Sequence, residues 1–423
     1  MRERHRQAPF GDFVARAAAA GELVVQPRMG FGAPRDMRAG LEATRRARAT
    51  TVGTITLDSY TRTGDHAAAR LALATGADLN GYPIVTHPVR TTRALLDGMN
   101  TGAFPVQVRH GSARPQAIFT ALTAAGLFAT EGGPVSYCLP YSRLPLADSV
   151  RNWKRCCEIL VRAAGDRAVP HLETFGGCML GQLCPPSLLV ALSVLEAVFF
   201  RRQGVRSVSL SYAQQTSPAQ DEEAIAALRA LAAEFLPDTQ WHIVVYAYMG
   251  LYPRTRSGAL ALLEEAAELA VRTGSERLIV KTAAEAFRIP TIAQNVEALE
   301  YAASVAEGER GRAARSTAAV PDTGVMAEAR GLVDAVLDLH PDVGRGLVCA
   351  FDRGYLDVPY CLHPGNAGRT SSGLDGDGRL VWTSTGTMPL GERRPGRPAP
   401  GGDDFLRSLS YVRQKFDAKE QIP

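Results

Sequence analysis

Short runs of apolar, often β-branched residues recur along the chain up to Lys281, and a stretch with helical spacing follows most of them. This alternation predicts a parallel sheet covered by helices. Nine candidate strands over about 260 residues match a (β/α)8 TIM barrel if one of the short runs YPIVTH or VPHLE is not a barrel strand, and the pattern leaves open which one. The candidate strands are LVVQPR, TVGTITLD, YPIVTH, FPVQVRH, GLFAT, VPHLE, SVSLSY, WHIVVYAY and RLIVK.

The segments between these runs carry helix signals. SGALALLEEAAELAVRTGS repeats Leu and Ala at spacings of three and four and has a Gly after its last turn. CPPSLLVALSVLEAVFF has Pro where a helix would start, and PAQDEEAIAALRALAAEFL has acids in its first turn, as helix starts favour. The apolar run from Leu188 to Phe200 is too short to span a bilayer and contains Glu196, so we predict a buried helix there.

The pattern changes after Glu307, which divides the chain into three predicted parts: a catalytic barrel over 1–307, a small C-terminal α+β extension over 308–390, and a tail over 391–423. In the extension, GERGRAARSTAAVPDTG is typical of a polar linker, VMAEARGLVDAVLDL of one long helix, and GNAGRTSSGLDGDGRLVW of a hairpin. The segment GERRPGRPAPGGDD predicts a disordered or extended surface arm.

Composition indicates a globular protein without a polyanionic partner. The 423 residues are 46% hydrophobic, which is enough to bury a large core. The 47 basic and 43 acidic residues leave a net charge of only +4, so charge supports neither nucleic-acid nor membrane binding. The basic start lacks an apolar signal core, and we expect a cytoplasmic protein.

The sequence contains no familiar metal or nucleophile motif. Its seven cysteines lack CxxC spacing and are expected to be reduced thiols, and no Walker loop, HExxH or GxSxG occurs. Cys156 and Cys157 fall in a helical pattern and fit a core. A nucleophilic Cys178 or Cys184 would need a histidine partner, for which His171 is nearest in sequence. We predict no metal site.

Charged and phenolic residues follow the apolar runs, where a (β/α)8 barrel places its active site. Three arginines converging there would repel one another unless anions lay between them, and the guanidinium fork pairs with carboxylates. The implied ligand carries about two carboxylates, although each arginine could instead pair with a neighbouring acid as scaffolding. The strand-end residues are Arg28, Asp58 with Arg62, Arg109 with His110, Glu131, Glu173, Tyr212, Tyr246 with Tyr248, and Lys281 with Glu285.

The segment ATEGGPVSYCLPY at 129–141 places one acid before two glycines and two tyrosines. Glu131 could be a buried base or only a structural partner of Arg109. Tyr137 and Tyr141 could orient a substrate through their hydroxyls or simply pack.

Five ordered motifs resemble the catalytic (epsilon) subunit of glutamate mutase, also called methylaspartate mutase. They span most of the chain from Leu23 to Ala303, and DVPYCLHPGNAG adds a fainter match. The motifs are QPRMG at 26–30, LDSYTR at 57–62, RHGSARP at 109–115, ATEGGPVSYCLPY at 129–141 and IVKTAAEAFRIPT at 279–291.

The resemblance implies an isomerase that interconverts L-glutamate and L-threo-3-methylaspartate by radical fragmentation and recombination, with adenosylcobalamin as cofactor. It implies that Glu131 takes a proton from the substrate ammonium group. The implied substrate-binding residues are Arg28, Arg62, Arg109, His110, Tyr137 and Tyr141. Lys281 and Glu285 would lie beside the adenosyl ribose.

The resemblance also implies a partner. In that family a small subunit carries cobalamin and ligates its cobalt through the His of a DxHxxG motif. The nearest string here, DLHPDVG at 338–344, has one residue too many before the Gly and lies in a helical context. We therefore interpret His340 as an ordinary helix-end residue and expect a separate cobalamin subunit, in a hetero-oligomer with two copies of each chain.

Parts of the chain depart from the family pattern, and other functions stay open. TFGGCMLGQLCPP, YAQQTSPAQDE and VVYAYMGLYP are altered in detail, which puts the pocket walls and the substrate in doubt. One alternative is a related radical mutase acting on a different amino or dicarboxylic acid. Another is an inactive barrel kept as a binding or scaffold subunit, although an idle pocket has no need to hold three arginines and an acid together.

Overall fold

Eight short parallel strands form one sheet that curls into a nearly closed barrel, which confirms the predicted (β/α)8 class. The computed structural model describes residues 9–313, 320, 322–390 and 402–418. Strands consecutive in the chain are neighbours from β2 to β8, β8 pairs with β1, and an isolated parallel bridge between Val25 and Thr51 brings β1 towards β2. The barrel strands are β1 (Val24–Gln26), β2 (Gly53–Thr56), β3 (Val106–Arg109), β4 (Ala129–Glu131), β5 (His171–Glu173), β6 (Ser207–Ala213), β7 (Gln240–Tyr246) and β8 (Arg277–Ile279).

Helices cover the outside of the barrel and form most of the C-terminal extension. The three helices predicted in most detail correspond to α8, α9 and α10. The α-helices are α1 (Phe10–Ala19), α2 (Pro34–Arg46), α3 (Ser59–Thr63), α4 (His66–Thr75), α5 (Val89–Leu95), α6 (Gln116–Ala125), α7 (Leu146–Ala164), α8 (Pro186–Arg202), α9 (Pro218–Phe235), α10 (Arg256–Arg272), α11 (Ile292–Ala313), α12 (Val325–Leu339), α13 (Val343–Arg353) and α14 (Gly402–Asp417).

The run YPIVTH is the candidate that forms no barrel strand, whereas VPHLE contains β5. Tyr82 makes one isolated bridge, to Leu57, and the chain then turns at 84–86. Pro83 cannot donate to a ladder, and the buried Tyr82 hydroxyl bonds instead with Thr92 at 2.9 Å. The run is apolar because Tyr82 and Ile84 are buried in the main hydrophobic core.

A polar network fills part of the barrel interior, and α1 packs against it. Arg277 is fully buried and forms an ion pair with Glu173, while its other nitrogens contact Gln26 and His242. The ring of Phe10, at the start of α1, lies 5.0 Å from the Arg277 guanidinium. A fully buried ion pair of this kind fixes the relative positions of the strands that carry it.

The C-terminal extension packs onto the barrel, and α12 occupies the predicted helical segment. It covers α8, which explains why every residue of Pro186–Phe200 is buried. Strands β9 (Thr370–Leu374) and β10 (Leu380–Thr385) pair antiparallel, as expected of the glycine-rich stretch. Among the described residues, no helix is long and apolar enough to cross a membrane.

Two predicted irregular segments are described only in part. Helix α11 continues to Ala313, into the predicted linker, and residues 314–319 and 321 lie outside the described chain. Of the predicted arm, 391–401 likewise falls outside it. The tail contains α14, where Val412 and Phe416 pack against α10 and Asp417 accepts backbone N–H bonds from Arg254 and Thr255.

Candidate active site

An ion pair between the ends of two neighbouring strands forms the centre of the site. Arg109 ends β3 and Glu131 ends β4, and Arg109 Nε donates to Glu131 Oε2 at 2.7 Å. Their exposed fractions are 5% and 2%. Burial opposes the charge on Arg109, but Glu131 stabilises that charge and raises the pKa of the guanidinium well above its ordinary value. The guanidinium therefore stays charged.

Two buried phenols also hold the Glu131 carboxylate. Tyr137 donates to Oε1, and the Tyr246 hydroxyl lies 3.0 Å from Oε2. Burial raises the pKa of both phenols well above the usual value, and the charge of Glu131 raises both further. The tyrosines are thus proton donors at neutral pH, and they fix both carboxylate oxygens.

Glu173, at the end of β5, takes part in the same network, but its ion-pair partner is Arg277 in the barrel interior. The Tyr246 hydroxyl contacts it as well as Glu131, and a single hydroxyl proton serves one carboxylate at a time. Although burial alone would raise the Glu173 pKa, the charges of Arg277 and Arg109 hold it below the ordinary value. Glu173 is therefore a permanent anion paired with Arg277.

One nitrogen of the central arginine has no acceptor. Arg109 Nη1 is buried and makes no hydrogen bond within the described residues, whereas Nε and Nη2 bond with Glu131 and Tyr246. An unsatisfied donor on a buried cation is costly, and an anion placed against it would remove that cost.

Arg62 and Tyr141 lie at a cavity beside this centre. The cavity has a volume of about 560 Å³ and is also lined by Arg114 and Arg143. The ring of Tyr141 is 5.8 Å from that of Tyr137 and is 55% exposed. The charges of Arg28, Glu131 and Arg62 all act on the Tyr141 phenol, so this ring lies among the sequence-predicted groups.

Arg28, Lys281 and Glu285 form a second group. Arg28 Nη1 and Lys281 Nζ each lie 3.8 Å from Glu285 Oε2. Burial, helped by the charge of Arg28, lowers the Lys281 pKa to about 8. The Lys281 ammonium lies 5.1 Å from the ring centre of Tyr252, whose buried hydroxyl has no partner among the described residues.

His110 packs behind the Tyr137 ring and is neutral. Its Nδ1 accepts the Ser112 N–H at 3.1 Å, and its ring stacks on Trp153 at 6.0 Å. Burial, together with the charge of Arg62, lowers its pKa to about 3. A neutral ring supports Tyr137, whose ring centre is 5.2 Å away, and offers no positive charge to a carboxylate.

Sequence reasoning assigned no role in the site to several residues that the fold brings there. Glu173 and Tyr246 lie at strand ends, and that position was the signal in the sequence that could have given them a role. Phe175 packs against Tyr137 with ring centres 5.0 Å apart. Glu196 is an acid in an otherwise apolar helix. In the sequence, this run led only to the prediction of a buried helix.

The described residues include no group of three or more histidines, cysteines or acids that could hold a metal ion. Cys178, Cys184, Cys156 and Cys157 are buried, and burial raises the pKa of each thiol, which disfavours the nucleophilic thiolate. His340 caps the end of α12, and its Nδ1 accepts the Asp342 N–H at 2.9 Å.

Comparison with known proteins gives the family. The model of the Methylaspartate mutase E chain (MutE) matches residues 5–394. The glutamate mutase epsilon subunit of Escherichia coli O157:H7 is 30% identical over 349 residues, which cover 79% of this chain and 72% of that one. The subunit of the same name from Halobacterium salinarum is 32% identical over 345 residues, covering 79% and 71%. The chain therefore belongs to the methylaspartate mutase E chain family and is an isomerase.

Proposed function

We propose that the chain is the catalytic subunit of an adenosylcobalamin-dependent mutase that interconverts L-glutamate and L-threo-3-methylaspartate by radical fragmentation and recombination. The observation that carries this proposal is Arg109, a buried cation that holds Glu131 through one nitrogen and leaves another without an acceptor. Such an arrangement offers one donor to a substrate carboxylate and one carboxylate to a substrate ammonium group.

The arginines keep the substrate and its fragments in place. Arg109 binds one carboxylate at the centre, while Arg62, on α3 after β2, and Arg28, in the loop after β1, supply further positive charges. A fragmentation reaction leaves a carboxylate on each piece, so separate cationic contacts stop either piece from drifting. Tyr141 closes the gap between these contacts, and its exposed edge faces the cavity.

Glu131 acts as the base for the substrate ammonium group. Its carboxylate is already oriented by Tyr137 and Tyr246, so its position does not change when a substrate enters. Accepting a proton weakens its pairing with Arg109 and leaves the guanidinium charge for the substrate carboxylate. His110 supports the Tyr137 ring from behind.

Lys281 and Glu285 are suited to hold the adenosyl ribose. They present an ammonium group and a carboxylate to a corner with the buried, unpartnered hydroxyl of Tyr252, which fits a polyhydroxylated ligand. When bound, adenosylcobalamin would supply the radical chemistry. Cobalt ligation belongs to a separate small subunit, because His340 is committed to a helix end.

Exposed apolar side chains on the loops after the strands support docking of that subunit at the catalytic end, in an assembly with two copies of each chain. Phe287 is 67% and Ile289 59% exposed after β8, and Leu251 is 44% exposed after β7. Leu362, in the extension that packs on the loop after β4, is 88% exposed. Apolar groups of this size gain most from burial against a partner.

The test combines the chain with a small cobalamin-binding mutase subunit and adenosylcobalamin, adds L-glutamate without oxygen, and records electron paramagnetic resonance and product NMR. We expect a cob(II)alamin-coupled organic radical and methylaspartate. A radical without methylaspartate would indicate a different acid substrate. Absence of both signals, with the complex formed, would overturn the proposal in favour of a scaffold subunit.

A further inference from the structure

Glu196 is a fully buried acid on α8 whose carboxylate receives five hydrogen bonds. Oε1 accepts the N–H groups of Val135 at 3.2 Å and Ser136 at 2.9 Å. Oε2 accepts the Ser136 hydroxyl at 2.9 Å and the N–H groups of Phe175 at 3.3 Å and Gly176 at 2.9 Å. The donors belong to two different loops, those following β4 and β5, so one side chain joins them.

The contacts favour the carboxylate anion. Four of the five partners are backbone N–H groups, which can only donate, and they bond to both carboxylate oxygens. Burial raises the Glu196 pKa to about 7, and the bonds from Ser136, Phe175 and Val135 oppose that rise. Above that pH the N–H dipoles balance the charge without a hydrogen-bonded lysine or arginine.

The chain makes room for this carboxylate through glycine. A Cβ on Gly133 would lie 1.9 Å from Glu196 Oε1, and a Cβ on Gly176 would lie 2.6 Å from the backbone carbon of Leu192 in α8. Both loops therefore approach the helix more closely than any residue with a side chain would allow. This close approach lets a single acid reach both loops.

The two loops carry the aromatic residues beside Glu131. Tyr137 follows Ser136 directly and donates to Glu131 Oε1. Phe175, whose own N–H is bound by Glu196, packs on Tyr137 at 5.0 Å and on Tyr246 at 5.7 Å. A shift of either loop would move a group that touches the Glu131 carboxylate or supports one that does.

We propose that Glu196 is a positioning residue, which ties the loops after β4 and β5 to α8 and thereby holds Tyr137 against Glu131 and Phe175 against Tyr137. This inference rests on the proposed role of Glu131 as the base. Glu196 touches no reacting atom; it acts through Tyr137. Its loss leaves the substrate arginines in place but lets the base move, and misplacement of about 1 Å can cost about 100-fold in rate.

The test compares Glu196→Gln with a matched control at pH 8. The amide of Gln accepts through only one of its two terminal atoms, so one loop loses its partner. The control is Glu223→Gln, because Glu223 is another buried acid, which binds the N–H groups of Thr323 and Val325 in the extension. Each variant is assayed with the small subunit and adenosylcobalamin below its unfolding temperature.

For Glu196→Gln we expect kcat to fall by about tenfold or more while KM changes by less than about threefold, because the arginines are untouched. For Glu223→Gln we expect both constants to stay within about twofold of wild type, at a comparable loss of stability. Ser136→Ala removes one bond of the five and should lower kcat by about two- to fivefold.

A second readout does not depend on turnover. Trp153 lies 6.2 Å from the Tyr137 ring, so its fluorescence reports the loop after β4 when Trp241 and Trp382 are replaced by Phe. Glu196→Gln should shift its emission and increase its quenching by acrylamide, and Glu223→Gln should not. If wild type turns over no acid, the proposed function fails while this comparison still tests the loops.

The inference would be overturned if Glu196→Gln had the same kcat and the same Trp153 emission as the wild type. Equal kcat losses in Glu196→Gln and Glu223→Gln would do the same, since they would indicate general destabilisation. If Glu196→Gln does not fold, Ser136→Ala decides, and unchanged kcat and emission in that variant would also overturn it.

Discussion

Glu131 and Glu173 lie side by side in register at the ends of β4 and β5, yet each is held by a different arginine. Glu173 is paired with the fully buried Arg277, whereas Glu131 is paired with Arg109, which has a free donor. The Tyr246 hydroxyl bridges the two acids. Two similar strand-end residues thus differ in their surroundings: the partner of Glu173 lies within the barrel interior, and the partner of Glu131 keeps a donor without an acceptor among the described residues.

Replacing Glu131 by Gln should remove the base while keeping a side chain of nearly the same size and shape. We expect kcat to fall by about 100-fold or more and KM to change little. Because Tyr137 acts by orienting Glu131, Tyr137→Phe should matter in wild type and scarcely at all in the Glu131→Gln background. Steady-state kinetics of both single variants and the double variant measure this coupling; additive losses would show that the phenol acts independently of the acid.

Replacing Glu173 by Gln should act mainly on stability. It leaves Arg277 charged and buried without its partner, and such a change costs about 3 to 5 kcal/mol. Urea unfolding followed by circular dichroism measures the loss. The same substitution at Glu234, which pairs with Arg330 on the surface, should lower the urea midpoint far less. Equal midpoints for the two variants would contradict this assignment.

Replacing Arg109 by Lys should preserve the charge beside Glu131 and remove the forked donor. We expect kcat/KM to fall by roughly 100-fold or more, because an ammonium group cannot bind Glu131 and a substrate carboxylate in the same plane. Binding of the small subunit should be unchanged. The control is Arg206→Lys, at a surface pair with Asp238, which should be neutral. Full activity in Arg109→Lys would favour the scaffold alternative.

Lys281 should make cofactor binding sensitive to pH. Because its pKa is lowered to about 8, the positive charge is present below that pH and is lost above it. A bond from a charged donor is stronger by about 1 kcal/mol, so the apparent cofactor KM should rise about fivefold between about pH 7 and pH 9. Lys281→Arg stays charged throughout and should show no such rise. Parallel curves for the two proteins would contradict this role.

Replacing Gly133 by Ala should disturb the loop after β4. The added Cβ would lie 1.9 Å from Glu196 Oε1, so either the loop or the acid must move. We expect a loss of about 1 to 3 kcal/mol in unfolding free energy and a lower kcat. Gly308, in α11, has open space around it, and Gly308→Ala should be neutral or stabilising by up to about 1 kcal/mol. Thermal unfolding of both variants provides the comparison.

The local pattern of the sequence was sufficient to predict the barrel fold and which residues lie at its strand ends. Alternating apolar runs and helical stretches predicted the barrel, because side-chain periodicity depends only on near neighbours in the chain. The barrel topology then places strand ends together, so Arg109, Glu131 and Lys281 could be assigned to one end from their positions alone. The motifs around these residues indicated the family.

Tertiary structure decided the contacts between distant residues. Both YPIVTH and VPHLE are apolar, and only the tertiary structure showed that Tyr82 makes a single isolated bridge while His171 lies in a strand. Arg28 pairs with Glu285, far along the chain, because closure of the sheet brings β1 beside β8. Glu196 lies 65 positions from Glu131, and only the close approach of two glycine-containing loops to α8 connects this acid to the site. Sequence periodicity determines which face of an element is buried, but which partner it meets depends on how the whole barrel closes.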